Sequence, residues 1–110
     1  MSHVSAALVI LFIYFSVHRF VLTQDDFAQF TVLYFASAKD ASKVDADKFE
    51  WSAGINAQTL TNLLVERHPG LGYVLKTSMF AVNMEYMDND SSWTVQPGDE
   101  VAIIPPVSGG

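Results

Sequence analysis

The sequence predicts an α+β fold in which a mixed sheet is crossed by one main helix. Several segments rich in β-branched and aromatic residues alternate between the two sides of an extended chain, which is typical of strands. Between them lies one segment whose apolar residues recur at helical spacing. Half of the 110 residues are apolar, which suffices for one core but not for two domains. We therefore expect a single α+β domain.

The first strand is predicted in the segment QFTVLYFA, residues 29–36. Alternation puts Phe30, Val32 and Tyr34 on one face of this strand. Leu33 and Phe35 lie on the other, so both faces are partly apolar. Such a strand is central in its sheet or carries a surface for a partner.

A polar connection and a second strand follow. The segment SAKDASKVDAD is small and polar, and it is predicted to be irregular. KFEWSA then alternates again, with Phe49 and Trp51 on one side. This pattern predicts a strand that forms a hairpin with the first one.

The main helix is predicted after Asn56, which is a favourable N-cap residue. Leu60, Leu63 and Leu64 follow at the spacing of a single apolar stripe. A proline and a glycine in HPG end the pattern, so the helix has about 12 residues and can cross one face of a small sheet.

The last third of the chain predicts three more strands separated by turns. MFAVNM, residues 79–84, is expected to turn near Asn83; WTV is expected to form a short strand, and EVAIIP the last one. The turn QPGD between the last two has a proline and a glycine at favourable positions. A hairpin, a crossover helix and a last strand parallel to the first define the β-grasp roll, the shape of ubiquitin.

Residues 1–27 are predicted to stand outside this domain, which begins at residue 28. The stretch from Val4 to Val17 carries no charge, yet it is shorter than the roughly 18–20 residues of a spanning helix. Neither a basic start nor a small-residue cleavage site of a signal peptide is convincing. We interpret residues 1–27 as a poorly ordered apolar extension. A cleaved signal or a membrane anchor is the alternative.

Composition excludes several classes of function. Twelve acidic residues outnumber six basic ones, for a net charge of −6, which is the wrong sign for nucleic acid. No cysteine is present, so thiolate catalysis, disulfides and Cys-ligated zinc are excluded.

The individual polar residues are predicted to be structural. His68 lies at the C-terminal end of the predicted helix, where a positive charge interacts favourably with the helix dipole. Asp88 and Asp90 lack the glycine and glutamate of a calcium loop, so we expect turn residues and no metal or stably bound cofactor.

The C-terminal segment is the strongest candidate for function. Pro105 and Pro106 end the last strand and keep the following chain stiff. The six residues 105–110 can reach about 20 Å as a flexible tail. Val107 and Ser108 are small, and Gly109 and Gly110 have no Cβ, so a narrow channel in another protein can admit them. The α-carboxylate would then be presented at the end of a thin arm.

Four segments resemble the small, sulfur-carrying subunit of molybdopterin synthase, a ubiquitin-like family. They are VLYFASAKD, RHPGL, FAVN and, most specifically, QPGDEVAIIPPVSGG. The resemblance covers residues 28–110 and leaves the first 27 outside it. Lys39 stands where many members have arginine. Lysine keeps the positive charge but cannot make the bidentate hydrogen bonds of a guanidinium group.

The resemblance implies a mechanism for the tail. A ubiquitin-E1-type activating enzyme would use ATP to adenylate the Gly110 carboxylate, and sulfur would replace AMP to give a thiocarboxylate. The large subunit would supply the catalytic residues and accept the tail. Sulfur would pass to cyclic pyranopterin monophosphate, in a cytosolic heterotetramer of two small and two large subunits.

The same resemblance places Phe35, Tyr86 and Ile104 in an apolar patch that meets the large subunit. Independently of the resemblance, the outward-facing residues of the first and last strands are apolar, and an exposed apolar surface of this kind is typical of a binding site. The alternative for these residues is a second small core under the loops. Lys39 and residues 105–108 complete the expected contacts.

Three other functions share some of these features. A sulfur carrier for thiamine synthesis or tRNA thiolation has the same fold and terminal glycines, although PPVS before them matches the molybdopterin branch. A ubiquitin-like modifier would be joined to lysines of other proteins. A membrane-tethered binding module would use the apolar N-terminal run.

Overall fold

The computed structural model describes residues 28–106, and in this part of the chain five strands form one mixed sheet. The predicted N-terminal extension and residues 107–110 of the tail lie outside the described residues. Three helices and five strands make up this part of the chain. In chain order they are β1 (Gln29–Tyr34), α1 (Ser37–Ser42), β2 (Ala46–Glu50), α2 (Ala57–Arg67), α3 (Leu71–Leu75), β3 (Met79–Val82), β4 (Glu85–Met87) and β5 (Glu100–Ile104).

The strands lie in the order β2-β1-β5-β3-β4. β1 and β5 are parallel, and all the other neighbours are antiparallel. The first strand therefore pairs with both its hairpin partner and the last strand. The predicted β-grasp topology is confirmed, including the parallel pairing of the first and last strands.

The core lies between the inner face of the sheet and α2. Phe30, Val32 and Tyr34 of β1 are buried, as their alternation predicted. Leu60 and Leu64 of α2 are fully buried against them. Each such side chain stabilises the fold by about 1.5–3 kcal/mol through loss of apolar contact with water.

Several element boundaries differ from the predictions. β1 ends at Tyr34, two residues before the predicted end, because Ala36 has a φ of 50°, which is incompatible with a β-strand. β2 covers 46–50 rather than 48–53, because its register with β1 begins at Ala46. The prediction missed α1 in the polar connection, α3 after the proline, and β4.

The predicted strand WTV is wrong, although its apolar residues are buried. Trp93 and Val95 are core residues without a strand ladder. Val95 N–H instead donates to Ile55 O at 2.8 Å, and Trp51 Nε1 donates to Val95 O at 2.6 Å. The pattern identified burial correctly and conformation incorrectly.

Among residues 28–106, no helix is both long and apolar enough to cross a membrane.

The N-cap of α2 has a measurable role in stability. Asn56 Oδ1 accepts hydrogen bonds from the Thr59 backbone N–H at 3.0 Å and from Thr59 Oγ1 at 3.1 Å. We expect Asn56→Ala to lower the free energy of unfolding by about 1 kcal/mol, because an orphan helix N–H loses its partner. Urea denaturation measures this change. Asn62→Ala on the exposed face of the same helix is the control, and equal stabilities of the two variants would contradict the prediction.

Candidate functional site

An apolar groove of about 390 Å³ crosses the outer face of the sheet, opposite the core. Its floor is a row of residues that the strand register aligns. Leu33 of β1 pairs with Ala102 of β5, and Ala102 pairs with Ala81 of β3. Because the two alanines have short side chains, the middle of the sheet is lower than its flanks, and a hollow results.

Large apolar side chains form the walls of the groove. Phe35 follows β1 and is 47% exposed, and Tyr86 of β4 is 63% exposed. Ile104 at the end of β5 is partly buried. The structure thus brings the three predicted patch residues together around one hollow. Phe35 and Tyr86 are too exposed to form a second small core under the loops.

The tail leaves the domain beside this groove. β5 is the central strand, and its last residue, Ile104, lines the groove. Pro105 is buried, and Pro106 is exposed. Of the two prolines, only Pro106 is therefore accessible to a partner. The predicted tail residues Val107, Ser108, Gly109 and Gly110 lie outside the described residues.

Lys39 lies near a second concavity that adjoins the groove. Phe35 and Leu33 line both hollows, and Lys39 and Asp45 line the second one. Lys39 Nζ contacts Asp45 Oδ1 at 2.8 Å, and both side chains are largely exposed. The hydrogen bond to Asp45 raises the pKa of Lys39. The ammonium group therefore stays charged near the groove, although an intramolecular carboxylate already engages it.

His68 takes part in a polar cluster on the inner side of the sheet, away from the groove. Its Nε2 lies 2.6 Å from Asp47 Oδ2, which also accepts from Tyr34 Oη at 3.0 Å. Burial raises the pKa of Tyr34, and the bond to Asp47 adds to this shift. The cluster joins the end of α2 to β2 and β1. These contacts hold the end of α2 against the sheet, and none of the three side chains lines the groove.

The acidic turn after β4 is also local structure. Asp90 Oδ1 accepts from the Ser92 backbone N–H at 3.0 Å and from Ser92 Oγ at 2.5 Å. These bonds to Ser92 lower the pKa of Asp90. Within residues 28–106, no group of three or more His, Cys, Asp or Glu is placed to hold a metal ion.

Three residues that line the groove were not predicted from the sequence: Ala81, Met84 and Glu100. Ala81 could have been found, because alternation puts it opposite its inward neighbours Phe80 and Val82. Met84 and Glu100 carry no such signal, because they lie at a turn and at the first position of a strand.

The fold matches that of a ubiquitin-like protein. The crystal structure of small archaeal modifier protein 1 (SAMP1) from Haloferax volcanii superposes with a TM-score of 0.64 and 22% identity. The match covers 74% of this chain and 99% of that chain. The chain thus has the β-grasp fold.

Sequence relatives define the family more closely. The ThiS family model matches residues 32–110. A molybdopterin synthase sulfur carrier subunit from Chlamydomonas reinhardtii is 42% identical over 82 residues, which are 74% of this chain and 99% of the relative. The Homo sapiens protein of that name is 41% identical, over 74% of this chain and 94% of the relative. The chain belongs to the ThiS family and, within it, to the family of molybdopterin synthase sulfur carrier subunits.

Proposed function

We propose that this chain is the sulfur carrier subunit of a molybdopterin synthase. Relatives of that name, about 40% identical, support the proposal. The observation that carries it is the place where the chain leaves the sheet. β5 ends at Ile104 in the wall of the apolar groove, and Pro106 is exposed just beyond. A partner that occupies the groove can therefore receive the tail directly.

Activation of the tail begins at the Gly110 carboxylate. A carboxylate is a poor acyl donor, because its negative charge is delocalised over two oxygens. An E1-like enzyme would use ATP to form the acyl-adenylate, in which a carboxylate oxygen bonds to the α-phosphorus and pyrophosphate leaves. Hydrosulfide from the sulfur donor then attacks the carbonyl carbon, the C–S bond forms and AMP leaves. The product is a thiocarboxylate, the only form in which this cysteine-free chain can hold transferable sulfur.

Transfer takes place in the active site of the large subunit. That subunit supplies the catalytic residues. The thiocarboxylate sulfur bonds to a carbon of cyclic pyranopterin monophosphate while a carbon–oxygen bond at that carbon breaks and its oxygen leaves. Water then attacks the Gly110 carbonyl carbon and the acyl C–S bond breaks, so that the sulfur stays on the substrate and the carrier leaves as a carboxylate. Two such transfers complete the dithiolene of molybdopterin. The role of this chain is to bind its partner enzymes and to present its C-terminus to them. ATP is consumed on the activating enzyme, and no cofactor stays bound to the carrier.

The groove is the proposed docking surface for the large subunit. Phe35, Tyr86 and Ile104 surround a floor whose middle is formed by two alanines, a shape that accepts a protruding apolar group. Lys39 would contact the partner at the adjoining hollow after exchanging Asp45 for a partner carboxylate. Two small and two large subunits would form a cytosolic heterotetramer.

Mass spectrometry of the intact chain tests the proposal. The full-length protein is incubated with a candidate E1-like enzyme, ATP and a sulfur donor. We expect a mass gain equal to exchange of one oxygen for sulfur, dependent on ATP. An unchanged carrier mass together with heavier protein adducts would favour the ubiquitin-like modifier instead. An activated chain that gives no molybdopterin with the large subunit would point to a carrier for thiamine or tRNA thiolation.

The acidic residue Glu100 at the groove and the negative net charge of the chain predict salt-dependent association with a large subunit that presents a basic face. Glu100 lines the groove and is exposed, and the chain carries a net charge of −6. We expect the association rate constant to fall as ionic strength rises, with little change in dissociation, because rim charges act mainly on diffusional encounter. Stopped-flow measurements at several salt concentrations test this. Glu100→Gln should flatten the salt dependence more than Glu66→Gln on α2, and equal slopes would refute the prediction.

A further inference from the structure

Met84 is the most exposed large apolar side chain in residues 28–106. It is 93% exposed, and it lines the groove together with Tyr86. The side chain therefore buries almost no apolar area within the domain. Its contribution to the stability of the isolated fold is correspondingly small.

The backbone at this position also disfavours methionine. Asn83 and Met84 form the two-residue connection between β3 and β4, whose last pair is Val82 with Glu85. Both central residues have positive φ, 51° and 73°. Tight hairpins of this kind strongly favour Asn-Gly, since asparagine tolerates positive φ and glycine has no Cβ to clash.

Asn83 fits its position, whereas Met84 does not. Asn83 Oδ1 accepts from the Glu100 backbone N–H at 3.0 Å, and its Nδ2 donates to Asp99 Oδ1 at 2.9 Å. These bonds fix the hairpin against the start of β5. Met84 makes no comparable bond, and its left-handed conformation is strained for a residue with a Cβ. The fold alone therefore gives no reason for methionine here.

An exposed, strained apolar residue beside a docking groove is accounted for by a partner. Strained backbone positions concentrate at binding sites, where the surroundings offset their cost. Methionine is unbranched and polarisable, so it adapts to an irregular apolar pocket. Resting on the proposed function, we infer that Met84 anchors the large subunit by inserting into an apolar pocket next to the surface that contacts Tyr86. The hairpin gives up stability to present this side chain.

The inference requires one substitution to act in opposite directions on stability and affinity. Met84→Gly should raise the melting temperature of the full-length chain by about 2–6 °C, because strain at the turn is relieved. The same variant should bind the purified large subunit at least about tenfold more weakly, as expected for loss of an interface anchor. Differential scanning calorimetry and isothermal titration calorimetry provide the two measurements.

Two further variants separate the side chain from the turn. Met84→Leu keeps an apolar side chain at the same φ, so it should bind within about threefold of the unchanged chain, as a volume-conserving exchange. Tyr73→Ala removes an exposed ring that lies on α3 outside the groove, and its affinity should not change. An unchanged affinity of Met84→Gly, with the unchanged chain binding normally, would overturn this inference alone. Failure of the unchanged chain to bind the large subunit would overturn the proposed function as well.

Discussion

Deletion of Gly110 is expected to reduce molybdopterin formation at least about 100-fold while the domain remains folded. Removing one residue draws the terminal carboxylate back by about 3.3–3.6 Å. Misplacing a reacting group by even about 1 Å can cost about 100-fold in rate. The folded part should be unaffected, because the sheet ends at Ile104. Product formation with the large subunit measures the loss, and circular dichroism checks the fold.

Deletion of Ser108 is the matched control for this experiment. It shortens the tail by the same length but keeps Gly109 and Gly110 at the end. If the activating enzyme reads only the two glycines, this variant should gain sulfur and then fail in transfer. Normal molybdopterin formation by the Gly110 deletion would show that neither reach nor the terminal residue matters, and the proposed mechanism would be wrong.

Phe35→Asp is expected to weaken binding of the large subunit by about 2–4 kcal/mol, or roughly 30- to 1000-fold. Phe35 is 47% exposed in the wall of the groove, so a carboxylate there stays hydrated in the free chain. In the complex the same carboxylate would be buried without a partner, which is costly. Titration calorimetry measures the affinity, and thermal unfolding measures the stability.

Tyr73→Asp controls for the effect of replacing an exposed aromatic residue by an acid. Tyr73 is 83% exposed on α3 and does not line the groove. Its affinity for the large subunit should stay close to that of the unchanged chain. If Phe35→Asp instead loses the fold, Phe35 is a core residue and the groove is not the docking surface that we propose.

Sequence reasoning succeeded where a periodic pattern and burial coincide. In β1, alternation separated the core residues Phe30 and Val32 from the groove residue Leu33. In α2, the Asn56 cap and the leucine stripe determined the helix start and its buried face. These features are local, so they can be read without knowledge of the remaining chain.

It failed where tertiary structure decides the conformation of a short segment. β4 has three residues and exists because the hairpin turn brings it beside β3. α1 has six residues and is bounded by Ala36 and Lys43, both at positive φ, which their residue types do not announce. The groove itself depends on register across the sheet, since only pairing of Ala102 with Ala81 places two small side chains together.

The central position of β5 has a mechanical consequence for tail insertion. A partner that drew the tail into a channel would pull on β5 along its length. The strand is hydrogen-bonded to β3 by bonds perpendicular to the strands and to β1 by the slanted bonds of a parallel pair. Such a load would shear many bonds of both ladders together, whereas a load across the strands would break them one at a time. A carrier held and withdrawn by its tail in this way would therefore resist unfolding.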